Sequence, residues 1–101
     1  MSISSSLSAD GNELQINIEG RFDFSSHSGF RTTYEELETK VDSYVIDMKS
    51  ASYLDSSALG MLLLLRDYAG GNNANIRISN CNEDIRKVLA ISNFEQLFDI
   101  R

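Results

Sequence analysis

An acidic residue followed by two serines, Asp55-Ser56-Ser57, stands directly before the most apolar run of the sequence, residues 58–65. A serine hydroxyl at the start of a helix has three possible roles. It can accept a backbone hydrogen bond as a cap, it can attack a substrate when a base activates it, or it can carry a phosphoryl group. The chemistry of this protein depends on which role applies.

Helix capping is the simplest interpretation, because Asp and Ser are favoured N-cap residues and a cap contributes about 1 kcal/mol. Capping accounts for one polar residue, whereas three stand in a row. Phosphorylation would give the serines a second use, since the free N–H groups and the dipole at a helix N-terminus favour added negative charge. Asp55 would repel that charge modestly. The pattern therefore predicts a switch of surface charge that leaves the core unchanged.

Catalysis by a serine is disfavoured by the surrounding residues. A nucleophile elbow has a glycine two residues before the serine, and the sequence Leu54-Asp55-Ser56-Ser57 has none there. The only histidine, His27, lies in a stretch typical of a loop or a first helical turn. One histidine and one cysteine far apart do not suggest a metal site, and there is no phosphate-binding glycine loop. We predict a protein without enzymatic activity, cofactor or metal.

The bulk composition points to protein partners. The 101 residues carry a net charge of -6 with a pI near 4.6, which argues against direct nucleic-acid binding because such binding needs clustered Lys and Arg. Cys81 is the single cysteine, so the fold needs no disulfide. The apolar run is far shorter than the roughly 20 residues that span a bilayer, and the N-terminus lacks a secretory signal. We expect one cytoplasmic domain over residues 1–101 with no direct membrane insertion.

Periodicity places the first elements. Leu14, Ile16 and Ile18 alternate with polar residues and predict a strand that ends at Gly20. A weaker strand precedes it, with a turn at Asp10-Gly11. Further on, the spacing of four apolar residues predicts one face of a helix: Phe30, Tyr34, Leu37 and Val41. Three serines before this face are candidate caps for the helix: Ser25, Ser26 and Ser28.

The second half alternates strands and helices. Tyr44 to Met48 reads as a buried central strand, and the apolar run as a helix that Gly70-Gly71 terminates. A strand around Ile76 and Ile78 follows. A third helix begins at Asn82, and the capping box Ser92 to Glu95 predicts a short last helix. This alternation predicts an α/β fold with a partly parallel sheet.

The serine segment also carries a family resemblance. "LDSSALGMLL" resembles the D-S-[ST]-[GA]-L-G signature of STAS-domain anti-sigma factor antagonists. "IEGRFDF" and "ISNFEQLFDI" are similar to two other segments of that family, and the long helix version resembles the SypA- and HsbA-like single-domain regulators of biofilm formation and motility. The resemblance implies the STAS (SpoIIAA-like) fold, a mixed four- to five-stranded sheet packed against about four helices.

Carried over residue by residue, the resemblance implies that Ser56 is the site of reversible phosphorylation. Ser57 matches the following position of the motif, and Asp23 matches the acidic loop residue beside the serine. Ala58 stands where glycine is common in the family. The implied partners are an anti-sigma factor or related serine kinase, which phosphorylates the serine, and a PP2C-type phosphatase, which restores it. The unmodified form is expected to bind its target.

Some assignments remain open at this point. The apolar residues after the serines are either core or partner contacts, namely Ala58, Leu59, Met61 and Leu62. Phe22 and Phe24, on either side of Asp23, are expected to pack inward, and His27, Cys81 and Tyr53 are expected to be bystanders. A sensory STAS module that binds a nucleotide or small anion is the alternative function. A monomer is expected, with weak pairing as the alternative.

Overall fold

The chain forms a five-stranded sheet with helices packed on it, in a computed structural model that describes residues 2–38 and 40–101. Met1, and Thr39 within the predicted first helical stretch, lie outside the described residues. The elements in chain order are β1 (Ser2–Leu7), β2 (Glu13–Phe22), α1 (His27–Glu35), β3 (Ser43–Leu54), α2 (Ser56–Tyr68), β4 (Ile76–Ser79), α3 (Glu83–Ile91) and β5 (Asp99–Ile100). Three single 3-10 turns occupy Phe24–Ser26, Gly71–Asn73 and Phe94–Gln96.

The sheet is mixed, as the sequence predicts. Its order is β1-β2-β3-β4-β5, with β1 antiparallel to β2 and the other neighbours parallel. Successive parallel strands advance in one direction, so right-handed crossovers bring α1, α2 and α3 to the same face. Buried residues accordingly alternate along β2 and β3 with residues on the uncovered face. The predicted hairpin and the partly parallel sheet are confirmed.

Two irregularities in the β2–β3 pairing set where these strands end. The register shifts between Asn17 and Glu19, and again between Gly20 and Arg21, and each shift gives β3 one residue more than β2. The 12 residues of β3 therefore run beside the 10 residues of β2. As a result Phe22, the last residue of β2, pairs with Leu54, the last residue of β3. The two strands therefore end side by side.

The sequence predictions need four corrections in the elements. The central strand, predicted from Tyr44 to Met48, continues to Leu54. β2 does not end at Gly20, which adopts a φ of 75° at the second register shift while the strand continues to Phe22. α1 ends at Glu35, although Leu37 still packs against the core. The predicted last helix is a single 3-10 turn over Phe94–Gln96. Asn93, inside the predicted capping box, is left-handed with a φ of 60°, and β5 already begins at Asp99.

The caps also differ from the prediction. Ser26 occupies the cap position of α1 without a side-chain cap bond, because its hydroxyl instead accepts the Asp23 N–H at 3.2 Å. Asn82 caps α3 as predicted, with its side chain accepting the Ile85 N–H. Within residues 2–38 and 40–101, no helix combines the length and apolarity needed to cross a bilayer.

Candidate functional site

Two acidic residues emerge side by side at the ends of β2 and β3. Asp23 follows Phe22 and Asp55 follows Leu54, and these two apolar residues are paired in the sheet. The Asp55 N–H donates to the Phe22 carbonyl oxygen at 3.4 Å, and the 3-10 turn after Asp23 contacts α2. The structure thus brings together the two segments that the sequence links only through the family resemblance.

Asp55 is the N-cap of α2. Its backbone is extended, with a φ of -115°, and its Oδ1 accepts the Ala58 N–H at 3.0 Å. The Asp55 carbonyl oxygen accepts the Leu59 N–H at 3.2 Å. Asp55 therefore supplies the cap through its side chain, and the two serines are free of that role.

Ser56 is the first residue of α2 and its side chain is exposed, whereas Ser57 is half-buried. Across the described part of the chain, no hydrogen bond involves the Ser56 hydroxyl, and none joins either serine to His27. An exposed hydroxyl without an activating base is suited to modification by another protein, and it lacks the geometry of a nucleophile. The first N–H groups of the helix, which have no intrahelical partner, lie beside it.

We expect Asp55→Ala to destabilise the domain by about 1 kcal/mol, because it removes the cap bond to the Ala58 N–H. Ser56→Ala is the matched control one residue later, and we expect it to change stability by less than about 0.5 kcal/mol, as an exposed substitution. Urea unfolding of both variants measures the two free energies. Equal losses from the two substitutions would show that Ser56 shares the capping role.

Asp23 organises the neighbouring turn through several bonds. Its Oδ1 accepts the Ser25 N–H at 3.0 Å and the Ser25 hydroxyl at 2.6 Å, and it caps the turn Phe24–Ser26. The Ser25 hydroxyl bond holds the pKa of the Asp23 carboxyl below its usual value, and the nearby Arg21 guanidinium contributes in the same direction. Asp23 is therefore a carboxylate at neutral pH.

A cation lies beside these acidic groups, and sequence reasoning missed it. The Arg21 Nε lies 3.3 Å from the Asp23 Oδ2, and the Arg21 guanidinium stacks 4.0 Å above the Tyr53 ring. Arg21 and Tyr53 are paired in the sheet. Tyr53, expected to be a bystander, thus helps to hold the partner of Asp23. The alternation of side chains on either side of Phe22 could have indicated this cation, because it places Arg21 on the face of the sheet that the helices do not cover.

Three of the apolar residues that the sequence left between core and partner belong to the core. Ala58 and Leu62 are fully buried and Met61 is 4% exposed, because they lie on the side of α2 that faces the sheet. A partner therefore cannot reach them in the folded domain. Leu59 is half-buried against the core.

The apolar residues that are exposed near Ser56 differ from the three buried ones. Leu63 is 41% exposed and, seven residues after Ser56, shares its side of α2, as does Leu59 three residues after it. Phe24 is 74% exposed, against the expectation that it packs inward, while Phe22 is buried as expected. We call Phe24, Ser56, Leu59 and Leu63 the serine face.

The two remaining titratable bystanders show no arrangement for chemistry. The Cys81 thiol is partly buried, and burial raises its pKa above the ordinary value, which favours the protonated thiol. The His27 ring lies 6.1 Å from the Phe24 ring. Among the described residues, no group of three or more His, Cys, Asp or Glu side chains could hold a metal ion.

Comparison with known proteins identifies the family and the fold of the chain. The family model described as "Mlab, STAS domain" matches residues 5–99. A STAS-domain containing protein of Pseudomonas aeruginosa, PA14_20770, is 60% identical over 100 residues, which are 99% of each chain. The anti-sigma-B factor antagonist of Bacillus subtilis is 24% identical, with 99% of this chain and 92% of that protein covered.

Solved structures share the fold at low identity. The anti-sigma factor antagonist SpoIIAA in its unphosphorylated form superposes with a TM-score of 0.72 and 16% identity, covering 89% of this chain and 83% of that chain. The Bacillus SpoIIAA structure in the phosphorylated form gives a TM-score of 0.67 and 16% identity over 99% and 91%. A sulfate transporter family protein from Wolinella succinogenes gives 0.76 and 15% over 94% and 81%.

Proposed function

This chain belongs to the STAS-domain family, and we propose that it is a non-enzymatic regulator of the anti-sigma factor antagonist type that works by partner switching. Ser56 is the switch. A serine kinase, either an anti-sigma factor or a related protein, phosphorylates it, and a PP2C-type phosphatase removes the phosphoryl group. The domain, residues 1–101, acts in the cytoplasm, in control of biofilm formation and motility or in stress signalling.

The observation that carries the proposal is the exposed, unbonded Ser56 hydroxyl directly after a residue that already caps the helix. Because Asp55 supplies the cap, a phosphoryl group on Ser56 breaks no hydrogen bond of the fold. The relative SpoIIAA has structures in both the unphosphorylated and the phosphorylated form, which supports the same chemistry here. Because SpoIIAA is 16% identical to this chain, the placement of the phosphoryl group on Ser56 is part of the proposal.

Charge explains how phosphorylation would release a partner. A phosphoserine adds about 1.5 to 2 negative charges at a point where Asp23 and Asp55 already lie close to the serine face. The face itself is apolar at Phe24 and Leu63. A partner shaped for a neutral hydroxyl and apolar side chains would have to bury the new charge, and this costs several kcal/mol.

A pull-down with three baits tests this function. Full-length Ser56→Ala, Ser56→Asp and Ser28→Asp proteins are used to capture partners from the native cells, since Ser28→Asp places the same charge in the first turn of a different helix. We expect the Ser56→Ala and Ser28→Asp baits to retain a partner that Ser56→Asp loses. Identical captures by all three baits would contradict partner switching at Ser56.

Gly60 supplies a second test in the middle of α2. It lies on the side of Ser56, four residues later, and a Cβ built there meets no atom within 4 Å. We expect Gly60→Ala to raise the free energy of unfolding by about 1 kcal/mol, because alanine favours the helix, and to weaken capture of the partner by adding a methyl group to its contact surface. Urea unfolding and the same pull-down measure the two effects. A stabilised variant with unchanged capture would place the partner elsewhere.

A further inference from the structure

The two edges of the sheet are protected very differently. β5 at one edge is two residues long, and Asp99 is paired with Arg77 at 3.5 Å and with Arg101 at 3.2 Å. Short edge strands and charged side chains are the usual protection against pairing with another chain. β1 at the other edge has six residues, Ser-Ile-Ser-Ser-Ser-Leu, with neither charge nor proline. The edge at β1 is thus left open.

The hydrogen-bonding direction of β1 follows from its register. The Ser8 N–H donates to the Glu13 carbonyl oxygen at 2.8 Å, next to the paired residues Leu7 and Leu14. Inward and outward backbone groups alternate along an antiparallel strand. Ser4 and Ser6 therefore face β2, and the N–H and C=O groups of Ile3, Ser5 and Leu7 point away from the sheet. This spacing is what an added strand requires.

A groove runs beside this edge. It has a volume of about 530 Å³ and lies between β1 and α1, and its lining includes Ile3, Ser5, Gly29, Glu36 and Leu37. Gly29 adds no side chain to the groove, and a Cβ there would lie 4.0 Å from the Ile3 Cδ1. Leu7 continues the line of Ile3 and Ser5 and is 50% exposed. Alternate side chains of an added strand would enter the groove.

The charge of the groove identifies the occupant. Glu36 is the one charged residue lining it, and among the described residues Glu36 has no ion-pair partner. The whole chain carries a net charge of -6, which opposes a second copy at the same edge and attracts a basic segment. In an added strand that alternates Lys or Arg with apolar residues, the basic side chains enter the groove, where their apolar stems pack and their charged ends reach Glu36, and the apolar residues point to the opposite face of the sheet.

We propose that β1 is a docking edge for an extended, basic segment of a partner protein, which adds to the sheet as a sixth strand beside Ile3, Ser5 and Leu7. Main-chain hydrogen bonds supply affinity in this mode of recognition, and pockets for alternate side chains supply specificity. The docking edge is separate from the serine face on α2, so the domain could hold one partner while it switches another.

The test uses the ¹⁵N-labelled full chain and two heptapeptide probes, TVKVKVT and TVEVEVT, both N-acetylated and C-amidated. We expect TVKVKVT to slow hydrogen exchange at the Ile3, Ser5 and Leu7 amides and leave Ser4 and Ser6 unaffected. TVEVEVT should bind about fivefold more weakly. An unchanged exchange rate with TVKVKVT at millimolar concentration would overturn the proposal, and so would equal binding of the two peptides.

Matched variants locate the contact. Ser5→Pro removes one outward N–H, which an edge strand tolerates, and should abolish binding of TVKVKVT, whereas Ser5→Thr should retain it. Glu36→Gln should lower the preference for TVKVKVT more than Glu35→Gln, which changes the net charge equally. The comparison of Glu36→Gln with Glu35→Gln still tests the proposal if Ser5→Pro does not fold. Equal effects of the two glutamine variants would overturn the role of Glu36. If protection of the β1 amides from hydrogen exchange rises with protein concentration in the absence of peptide, the edge binds a second copy of the chain, and the proposal is overturned.

Discussion

Leu62→Ala is expected to lower the free energy of unfolding by about 3 kcal/mol. Leu62 is fully buried in the middle of α2, and truncation of such a residue loses the transfer free energy of its methyl groups and leaves a cavity in the core. The loss would be a large fraction of the stability of a domain of this size, which is about 5–15 kcal/mol. Urea unfolding followed by circular dichroism measures the change.

Leu64→Ala is the matched control for this prediction. Leu64 lies two residues further along the same helix and is 53% exposed, so we expect its truncation to cost less than about 0.5 kcal/mol. The pair separates the two interpretations that the sequence allowed for the apolar run. Similar losses at both positions would mean that α2 does not face the sheet as described.

Phosphorylation of Ser56 is expected to weaken binding of the captured partner about 100-fold, which corresponds to roughly 2.8 kcal/mol. The physical reason is the burial of a phosphate dianion beside the carboxylates of Asp23 and Asp55. Ser56→Asp adds only one charge, so we expect a weaker loss of about tenfold. Calorimetry with the partner and with protein carrying phosphoserine at residue 56 measures both effects.

Ser28→Asp is the control for charge alone, since it lies in the first turn of α1 and outside the serine face. We expect this variant to bind the partner within about twofold of the unmodified protein, because exposed charges contribute little. A loss that is as large in Ser28→Asp as in Ser56→Asp would attribute the effect to net charge. The local mechanism at Ser56 would then be wrong.

The strands and helices were predictable from the sequence where one physical signal dominated. Alternation at Leu14, Ile16 and Ile18 and the Asn82 cap correspond directly to β2 and α3. The last helix was mispredicted because it rested on the capping-box pattern Ser92 to Glu95, in which Asn93 is left-handed, and Phe94 lies in a 3-10 turn with its ring stacked 5.4 Å from the Phe98 ring. The residue types of a capping box do not reveal that one of its members adopts the left-handed conformation.

The candidate site was predictable in part. The motif at Asp55 and Ser56 identified the start of the helix. It did not show which of the two residues caps the helix, and the hydrogen bond from the Ala58 N–H assigns the cap to Asp55. The exposed side of α2 was not predictable, because the leucines surround the axis and the sequence does not say which of them face the sheet. Arg21 was missed because its contacts with Asp23 and Tyr53 depend on the register shifts between β2 and β3.

Peptide mass spectrometry of the protein purified from its native cells tests the central claim most directly. The peptide that contains both Ser56 and Ser57 is fragmented so that the two positions are distinguished, in samples from several growth conditions and after treatment with a PP2C-type phosphatase. We predict a phosphoryl group on Ser56 that the phosphatase removes. An unmodified Ser56 under every condition, or a phosphoryl group on Ser57 alone, would contradict the account.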